Sequence, residues 1–479
     1  MISATSYIEN LRNNRIPIIL AGAALAVGLG VLQVVSLKWS ALVLALILVT
    51  VLAICKMEAA MVVYALAAFL PIGPFFAVTG RFGYEQGLYP SELLLGLLAF
   101  VWGAGLVFRV IRDKKLPIQR GPIDAPLFLL IGASIFSFIA AQFTWDYNVP
   151  TEHRYYVTQI TEIGLLCMPV AVYLLISNSL KDLRWAKAMC SAILVVGIVG
   201  FASDCPWIHL PAFFNISWTG LLTIPLISLL YAYIVLHREF AWKQLAASCA
   251  LFLVLVVQFK YMSWVVMWLS ASVSLCVISW YRSKKLFATV MCVALLTCLL
   301  KMGLFRDLLQ AERAGSSLER FDIWASSFKI GFGRLLWGIG PDSFYPYYSH
   351  YYANTYQTLN VSSPHSNWVQ MFVQYGIIGF IAFVWFIVLC LRSLSALYRR
   401  AQGTFEREVL LAATGTFAGM VIISGLGDYI FPARANGGLT TFGITVYNWI
   451  LLGVAFGLGR MMREQEGVSP TERSLQGVG

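Results

Sequence analysis

The feature that most constrains this chain is a succession of charge-free stretches about 20 residues long, each able to cross a hydrocarbon core roughly 30 Å thick. Hydrophobic residues make up 59% of the 479 residues and charged residues only 12%, whereas soluble domains carry roughly 25% charged residues. About fourteen such stretches can be delimited, and two pairs of them, within 17–55 and 244–281, are nearly continuous. The sequence therefore predicts an all-α polytopic membrane protein with about 12–14 transmembrane helices.

Basic residues orient these predicted helices. With the N-terminus inside, 23 of the 34 Lys and Arg residues fall in cytoplasmic segments and five in short external loops, as the positive-inside rule predicts. Both termini are then cytoplasmic, and one long polar loop, about 304–367, is periplasmic. The prediction divides the chain into a transmembrane domain, 1–463, and a cytoplasmic tail, 464–479, whose Gly/Ser/Glu-rich composition favours disorder.

The overall charge and the cysteines exclude several classes of function. The net charge of +11 follows largely from the orientation bias, so it does not indicate nucleic-acid binding; basic clusters such as 109–120 suit anionic lipid headgroups. The nine cysteines lie mostly in predicted helices, and only Cys205 is near the outer surface, which argues against a disulfide framework. The sequence has no zinc-spaced Cys/His cluster, no external Asp pair and no phosphate-binding Gly-rich loop. We therefore expect chemistry without a metal or cofactor.

The long loop carries its own structural signals. Phe321, Trp324 and Phe328 are spaced as on one face of a helix, which predicts an amphipathic helix lying in the membrane interface. The Gly-rich sequence 338–342 predicts a break and a turn. The tyrosine-rich stretch 344–356 is typical of an aromatic belt, although its rings could also stack on sugars or flank a lipid tail.

His365 is the strongest candidate for chemistry, because it stands at the end of this loop and at the start of a predicted transmembrane helix. An imidazole can exchange a proton near neutral pH, and a helix N-terminus disfavours its charged form, which keeps it able to accept a proton. Ser366 or Asn367 can cap the helix. The alternative is a histidine with a purely structural hydrogen-bonding role.

Three cations are candidates for anion binding. Arg320 offers the fork of donors that suits a phosphate or diphosphate, with a surface salt bridge to Glu319 or Asp322 as the alternative. Arg154 and Lys260 lie on the side that the orientation otherwise keeps poor in cations, and ionisable groups in such positions are candidates for function.

The end of the loop resembles the terminal signature of the O-antigen ligase and O-antigen polymerase superfamily of membrane glycosyltransferases. That signature is His, then Asn, Ser or Gln, nine residues, Gly, two residues and Gly. In this chain it is matched by His365-Ser366, then 367–375, Gly376 and Gly379. An upstream family pattern, with an Arg, a Trp and a Gly-x-Gly before an aromatic residue, is matched by Arg320, Trp324, 338–340 and Phe344.

The resemblance implies transfer of a glycan from undecaprenyl diphosphate to a sugar hydroxyl at the periplasmic face of the inner membrane. The acceptor would be lipid A–core for a ligase, or a second lipid-linked repeat unit for a polymerase. His365 would be the general base or would orient the acceptor hydroxyl. Arg320, with Arg154 and Lys260, would bind the donor diphosphate and stabilise the negative charge that develops on the leaving group. The family often has Ser-Arg where this chain has Ser263-Trp264, so Lys260 would supply that positive charge.

Two further predictions accompany the resemblance. The terminal glycines would let adjacent helices approach closely around the lipid. A protein-glycosylating relative ranks below ligase and polymerase, because the chain lacks the large external C-terminal extension that some of those relatives carry.

A transporter or lipid-linked oligosaccharide flippase is the alternative from another class of protein. It predicts two related halves and a polar central path, and the sequence shows neither.

Overall fold

The computed structural model describes residues 37–68, 78–79, 85–86, 89–114, 119–151, 155–205, 208, 221–237, 242–261, 265–300, 317–352 and 361–467. Its first helices are α1 (Leu37–Cys55), α2 (Met57–Ala67), α3 (Pro90–Asp113), α4 (Asp124–Thr144) and α5 (Tyr155–Ser179). They are followed by α6 (Leu183–Asp204), α7 (Thr223–Leu236), α8 (Trp242–Tyr261), α9 (Val265–Arg282) and α10 (Lys284–Leu300). The last are α11 (Ser317–Phe332), α12 (Phe344–Tyr351), α13 (Asn367–Arg400), α14 (Thr404–Ile423) and α15 (Gly438–Gly467). Two short antiparallel strands, β1 (Val78–Thr79) and β2 (Glu85–Gln86), pair between α2 and α3.

Six of the described helices are long and apolar enough to cross a membrane: α3, α4, α5, α6, α13 and α15. Shorter apolar helices occur within α1, α2, α7 and α8. In a bilayer a helix satisfies its own backbone hydrogen bonds, so apolar helices of this length are the expected solution for such a sequence. The predicted class, an all-α polytopic membrane protein, is confirmed.

The helices pack into one bundle around a core of buried apolar side chains. α15 packs along α5, α13 along α4, and α14 lies against both α7 and α9. Within the core the rings of Phe386 and Trp449 stack 5.7 Å apart and nearly parallel. The histidine of interest precedes α13, whereas Arg399 and Arg400 end it, so the candidate site and this cationic group lie at opposite ends of the helix.

α13 is interrupted at Gly376, where the backbone leaves the helical region with φ +67° and ψ −167°. The loop 333–343 fills the interruption: Ile339 and Gly340 donate backbone hydrogen bonds to the carbonyls of Val373 and Gln374, at 3.0 and 3.1 Å. A Cβ on Gly376 would lie 2.4 Å from the carbonyl oxygen of Leu336. The predicted role of this glycine was therefore wrong, because it accommodates a loop rather than a neighbouring helix.

The amphipathic helix of the long loop is α11. Its apolar inner face, which includes Ile323 and Ile330, joins a cluster with Val369 and Val373 of α13. Phe321 on the other face is 66% exposed, as expected of a helix that lies in the membrane interface. The spacing of aromatic residues thus predicted the helix correctly.

Other details differ from the prediction or lie outside the described residues. Tyr347 and Tyr348 of α12 are buried in the cluster beneath α11, so they pack inside the protein rather than in an aromatic belt. α15 continues to Gly467, four residues into the predicted tail, because its helical pattern does not stop at Glu464. The early part of the long loop, 301–316, and the rest of the tail, 468–479, lie outside the described residues.

Candidate functional site

His365 lies in a tight turn, Ser363–Ser366, that leads directly into α13 and is called the histidine turn here. Ser366 is the N-cap of α13, and its Oγ accepts a hydrogen bond from the backbone N–H of Val369 at 3.5 Å. His365 itself has φ +50°, a left-handed conformation that is unusual for a residue other than glycine. Its backbone N–H donates to Ser363 Oγ at 3.0 Å. Such strain persists only where the surroundings fix it, and it is commonest at functional sites.

α11 is docked onto the histidine turn through two side chains. Trp324 Nε1 donates to the carbonyl of Pro364, the residue before the histidine, at 2.9 Å. One helical turn earlier, Arg320 Nη1 donates to the carbonyl of Leu426 at 3.2 Å. Arg320 Nε is buried and has no hydrogen-bond partner among the described residues. The guanidinium therefore lies beside the histidine with donor capacity in reserve.

The turn between α14 and α15, residues 424–437, closes the other side of the site. Asp428 Oδ2 accepts hydrogen bonds from Ser363 Oγ at 2.8 Å and from Asn436 Nδ2 at 3.2 Å. Asp428 is fully buried, and its Oδ1 has no hydrogen-bond partner among the described residues. A chain of hydrogen bonds thus runs from this carboxylate through Ser363 to the backbone of His365.

Asn367, the first residue of α13, ties the histidine turn to the same 424–437 turn. Its Nδ2 donates to the carbonyl of Phe431 at 2.7 Å, and its Oδ1 accepts from the backbone N–H of Ile430 at 2.9 Å. Its backbone N–H donates to the carbonyl of Ser424 at 2.9 Å. A buried amide that makes this many bonds fixes one relative position of the two turns.

Burial and charge set the protonation of the site. Burial, together with the positive charge of Arg320, lowers the pKa of His365 to about 4. Because that value lies below neutral pH, the imidazole is uncharged there and can accept a proton. Burial also raises the pKa of Asp428 to about 6, against the opposing effects of its hydrogen bonds from Ser363 and Asn436 and of the Arg320 charge.

The structure thus brings together two of the four predicted site residues, His365 and Arg320. Arg154 lies outside the described residues. So do Ser263 and Trp264, which stand where the family often has Ser-Arg. Lys260 is in the last turn of α8, and its side chain is outside the described part. Among the described residues, no group of three or more His, Cys, Asp and Glu side chains is placed to hold a metal ion.

Sequence reasoning missed several polar residues that surround the site. Asp428 gave a weak signal, as a carboxylate in a short turn between two apolar stretches. Glu162 gave a stronger one, as an ionisable residue inside a predicted span. The buried pair Arg434 and Asp342, joined at 2.5 Å between Nε and Oδ2, had no local signal because its members are far apart in the chain.

The described geometry defines a multi-pass membrane protein with a half-buried histidine–arginine site at one end of its helix bundle. Residues 246–384 match the family model described as O-antigen ligase. The predicted resemblance to the O-antigen ligase superfamily is thereby confirmed, and the matched segment includes Lys260, Arg320 and His365 but not Arg154. The match supports a glycan-transfer role of the ligase or polymerase kind. No curated protein matches the chain.

Proposed function

We propose that this protein transfers a glycan from undecaprenyl diphosphate to a sugar hydroxyl, as an O-antigen ligase acting on lipid A–core at the periplasmic face of the inner membrane. The observation that carries the proposal is the placement of His365, half-buried and neutral, on a strained turn beside Arg320. The match of the surrounding segment to O-antigen ligases supplies the class of reaction.

The proposed reaction needs one proton transfer and one stabilised leaving group. The acceptor hydroxyl oxygen forms a bond to the anomeric carbon of the donor glycan, while the bond from that carbon to the diphosphate oxygen breaks. The hydroxyl proton passes to the neutral imidazole of His365, which acts as general base. The electron pair of the broken bond leaves with undecaprenyl diphosphate, and Arg320 stabilises the negative charge that develops there.

The sugar–diphosphate bond of such a donor is already activated, so alignment and charge stabilisation account for most of the catalysis required of the protein. Arg154 and Lys260 are proposed as further contacts of the diphosphate, on the strength of the sequence resemblance and of their positive charge. The reaction as written uses neither a metal nor a cofactor.

A repeat-unit polymerase is the second candidate within the same class, because it would use the same donor and the same base. The family match supports ligase and polymerase equally, because both would transfer a glycan from the same kind of donor. The acceptor distinguishes them, since a polymerase would extend a second lipid-linked unit. A flippase would require no general base, and the strained histidine turn favours an enzyme over it.

The first test is chemical and uses purified protein with a lipid-diphosphate-linked glycan. His365→Ala is expected to lower the transfer rate at least about 10²-fold, the usual contribution of a positioned general base. His350→Ala is the matched control, because His350 is an exposed histidine of α12 in the same loop and is expected to leave the rate unchanged. Normal glycan transfer by folded His365→Ala protein would refute the proposal.

The second test separates ligase from polymerase in a deletion strain. Loss of all polymer from lipid A–core, with long lipid-linked chains accumulating, is expected for a ligase. Persistence of single repeat units on lipid A–core would instead identify a polymerase.

A further inference from the structure

Glu162 is a buried carboxylate of α5 that the proposed transfer reaction does not use. Only 2% of the residue is exposed, and both of its oxygens accept hydrogen bonds. Oε1 accepts from Gln370 Nε2 at 2.7 Å, and Oε2 accepts from the backbone N–H of Arg434 at 2.7 Å. One carboxylate on α5 thus holds both the first turn of α13 and the 424–437 turn.

The side chain of Arg434 extends these contacts to the long loop. Its Nε donates to Asp342 Oδ2 at 2.5 Å, in an ion pair whose side chains are 25% and 5% exposed. Asp342 lies just before α12 and has φ +51°. The pair is partly buried, so its loss would leave the Asp342 carboxylate, whose side chain is almost fully covered, without this cation.

These contacts lead to the histidine turn by two routes. Gln370 donates its backbone N–H to the carbonyl of Ser366 at 2.8 Å, and its Oε1 accepts from Asn367 Nδ2 at 3.4 Å. On the other side, Ser362 Oγ donates to the carbonyl of Ala435, the residue after Arg434, at 2.9 Å. Residues on both sides of His365 are therefore linked to the groups that Glu162 holds.

We propose that Glu162, Arg434 and Asp342 form a positioning network that sets the place of His365 relative to Arg320 and the 424–437 turn. This inference rests on the proposed transferase function. None of the three residues touches the reacting atoms of the proposed transfer. They act through Gln370 and through the 424–437 turn, which carries Asp428. An apolar residue in place of Glu162 would leave the Gln370 amide and the Arg434 N–H without an acceptor, which is destabilising for covered donors.

Kinetics of Glu162→Gln test the network. The side-chain amide has one oxygen where Glu162 has two, so only one of the two hydrogen bonds keeps its acceptor and the two turns lose their common anchor. We expect kcat for glycan transfer to fall about 10–100-fold, the effect of a misplaced catalytic group, with KM changed less than about twofold, because ground-state binding is untouched. Arg434→Lys, which keeps the charge, is expected to retain more kcat than Arg434→Gln.

Gln159→Ala is the matched control. Gln159 lies on α5 one turn before Glu162, is fully buried, and donates through Nε2 to Ser343 Oγ at 2.8 Å, next to Asp342. Gln159→Ala removes a contact between α5 and the loop 333–343. It leaves in place the contacts that Glu162 makes with α13 and with the 424–437 turn. We expect its kcat to stay within about threefold of the wild-type value, since the histidine turn keeps its anchors. A loss of kcat as large as that of Glu162→Gln would show that the network serves only the fold and would overturn the inference.

Hydrogen–deuterium exchange provides a readout that does not depend on activity. Glu162→Gln is expected to speed exchange in 363–370 and 424–437, whereas Gln159→Ala is expected to leave these segments as in the wild type. Unchanged exchange and unchanged kcat in folded Glu162→Gln would overturn the inference. If the wild-type protein transferred no glycan, the proposed function would fail, and unchanged exchange in Glu162→Gln would then separately refute the positioning role.

Discussion

The two halves of α13, on either side of Gly376, differ in how they are held. The half before it buries the polar residues Asn367, Gln370 and Gln374 among apolar ones, whereas the half after it buries mainly apolar residues, among them Ala382, Phe383, Phe386, Ile387 and Cys390. Asn367 and Gln370 add hydrogen bonds to the apolar packing of the first half, whereas the second half is held by close-packed rings such as Phe386 on Trp449. Hydrogen bonds are directional, so the first half fixes a geometry; apolar packing is not directional, so the second supplies anchorage.

Arg320→Ala removes a polar group of the site next to the first half of α13. It has the largest expected effect. We expect kcat to fall about 10²–10³-fold, the usual cost of removing one donor that stabilises a developing anion, with little change in melting temperature. Lys329→Ala is the control, because Lys329 is an exposed cation of the same helix. Equal kcat in wild type and in folded Arg320→Ala would exclude Arg320 from the chemistry.

Phe386→Ala removes apolar packing from the second half of α13. Phe386 is fully buried and its ring contacts those of Phe417, Phe431 and Trp449. Loss of the ring is expected to lower the free energy of unfolding by about 3–5 kcal/mol, measured by thermal unfolding in detergent. The kcat of the protein that remains folded is expected to stay within about twofold, because a packing residue makes no contact specific to the transition state. A specific loss of kcat would show that the two halves are not separate in function.

Gly376→Ala tests the boundary between the halves. A Cβ there would meet the carbonyl of Leu336, and the backbone conformation of Gly376, which essentially only glycine adopts, costs a side chain about 1–3 kcal/mol besides. We expect a lower melting temperature together with a loss of activity, because the loop 333–343 is displaced. Gly132→Ala in α4, where a Cβ meets nothing within 4 Å, is expected to have no such effect. A stable and active Gly376→Ala protein would contradict the described break.

Asp428→Asn has the smallest expected effect and depends on pH. The raised pKa of Asp428, about 6, means that the folded protein binds a proton more tightly than the unfolded chain does. Its contribution to stability is therefore full below pH 3.8, is lost as the pH rises through about 6, and leaves a buried charge at pH 7.5. The asparagine is expected to raise the melting temperature at pH 7.5 by roughly 2–4 °C and by less at pH 5. A larger gain at pH 5 would contradict this assignment.

Much of this architecture could be predicted from the sequence, because its determinants are local. Apolar stretches of membrane-spanning length identified the fold class, the spacing of Phe321, Trp324 and Phe328 identified α11, and the polar residues around His365 identified the start of α13. Arg320 was also expected in the site with His365, through a family pattern rather than through spacing, whereas the position of Trp324 beside the histidine turn was not predicted.

The rest depends on contacts between distant parts of the chain. Glu162, Asp342, Asp428 and Arg434 come from four separate segments, and no periodic pattern in any of them indicates that they meet. The break at Gly376 was missed because a single glycine in an apolar run is common in membrane helices. Its backbone conformation is decided by the loop that packs there.

That loop has a consequence for how a long lipid substrate reaches the site. Gly376 lies about 13 Å along α13 from its start, at 1.5 Å per residue, and the carbonyls of Val373 and Gln374 are paired with the loop backbone. Swinging the loop aside would strip these peptide groups of partners at membrane depth, where each one costs several kcal/mol. The loop is therefore a fixed wall rather than a lid, so the proposed lipid-linked donor would have to reach His365 by a path that leaves this loop in place.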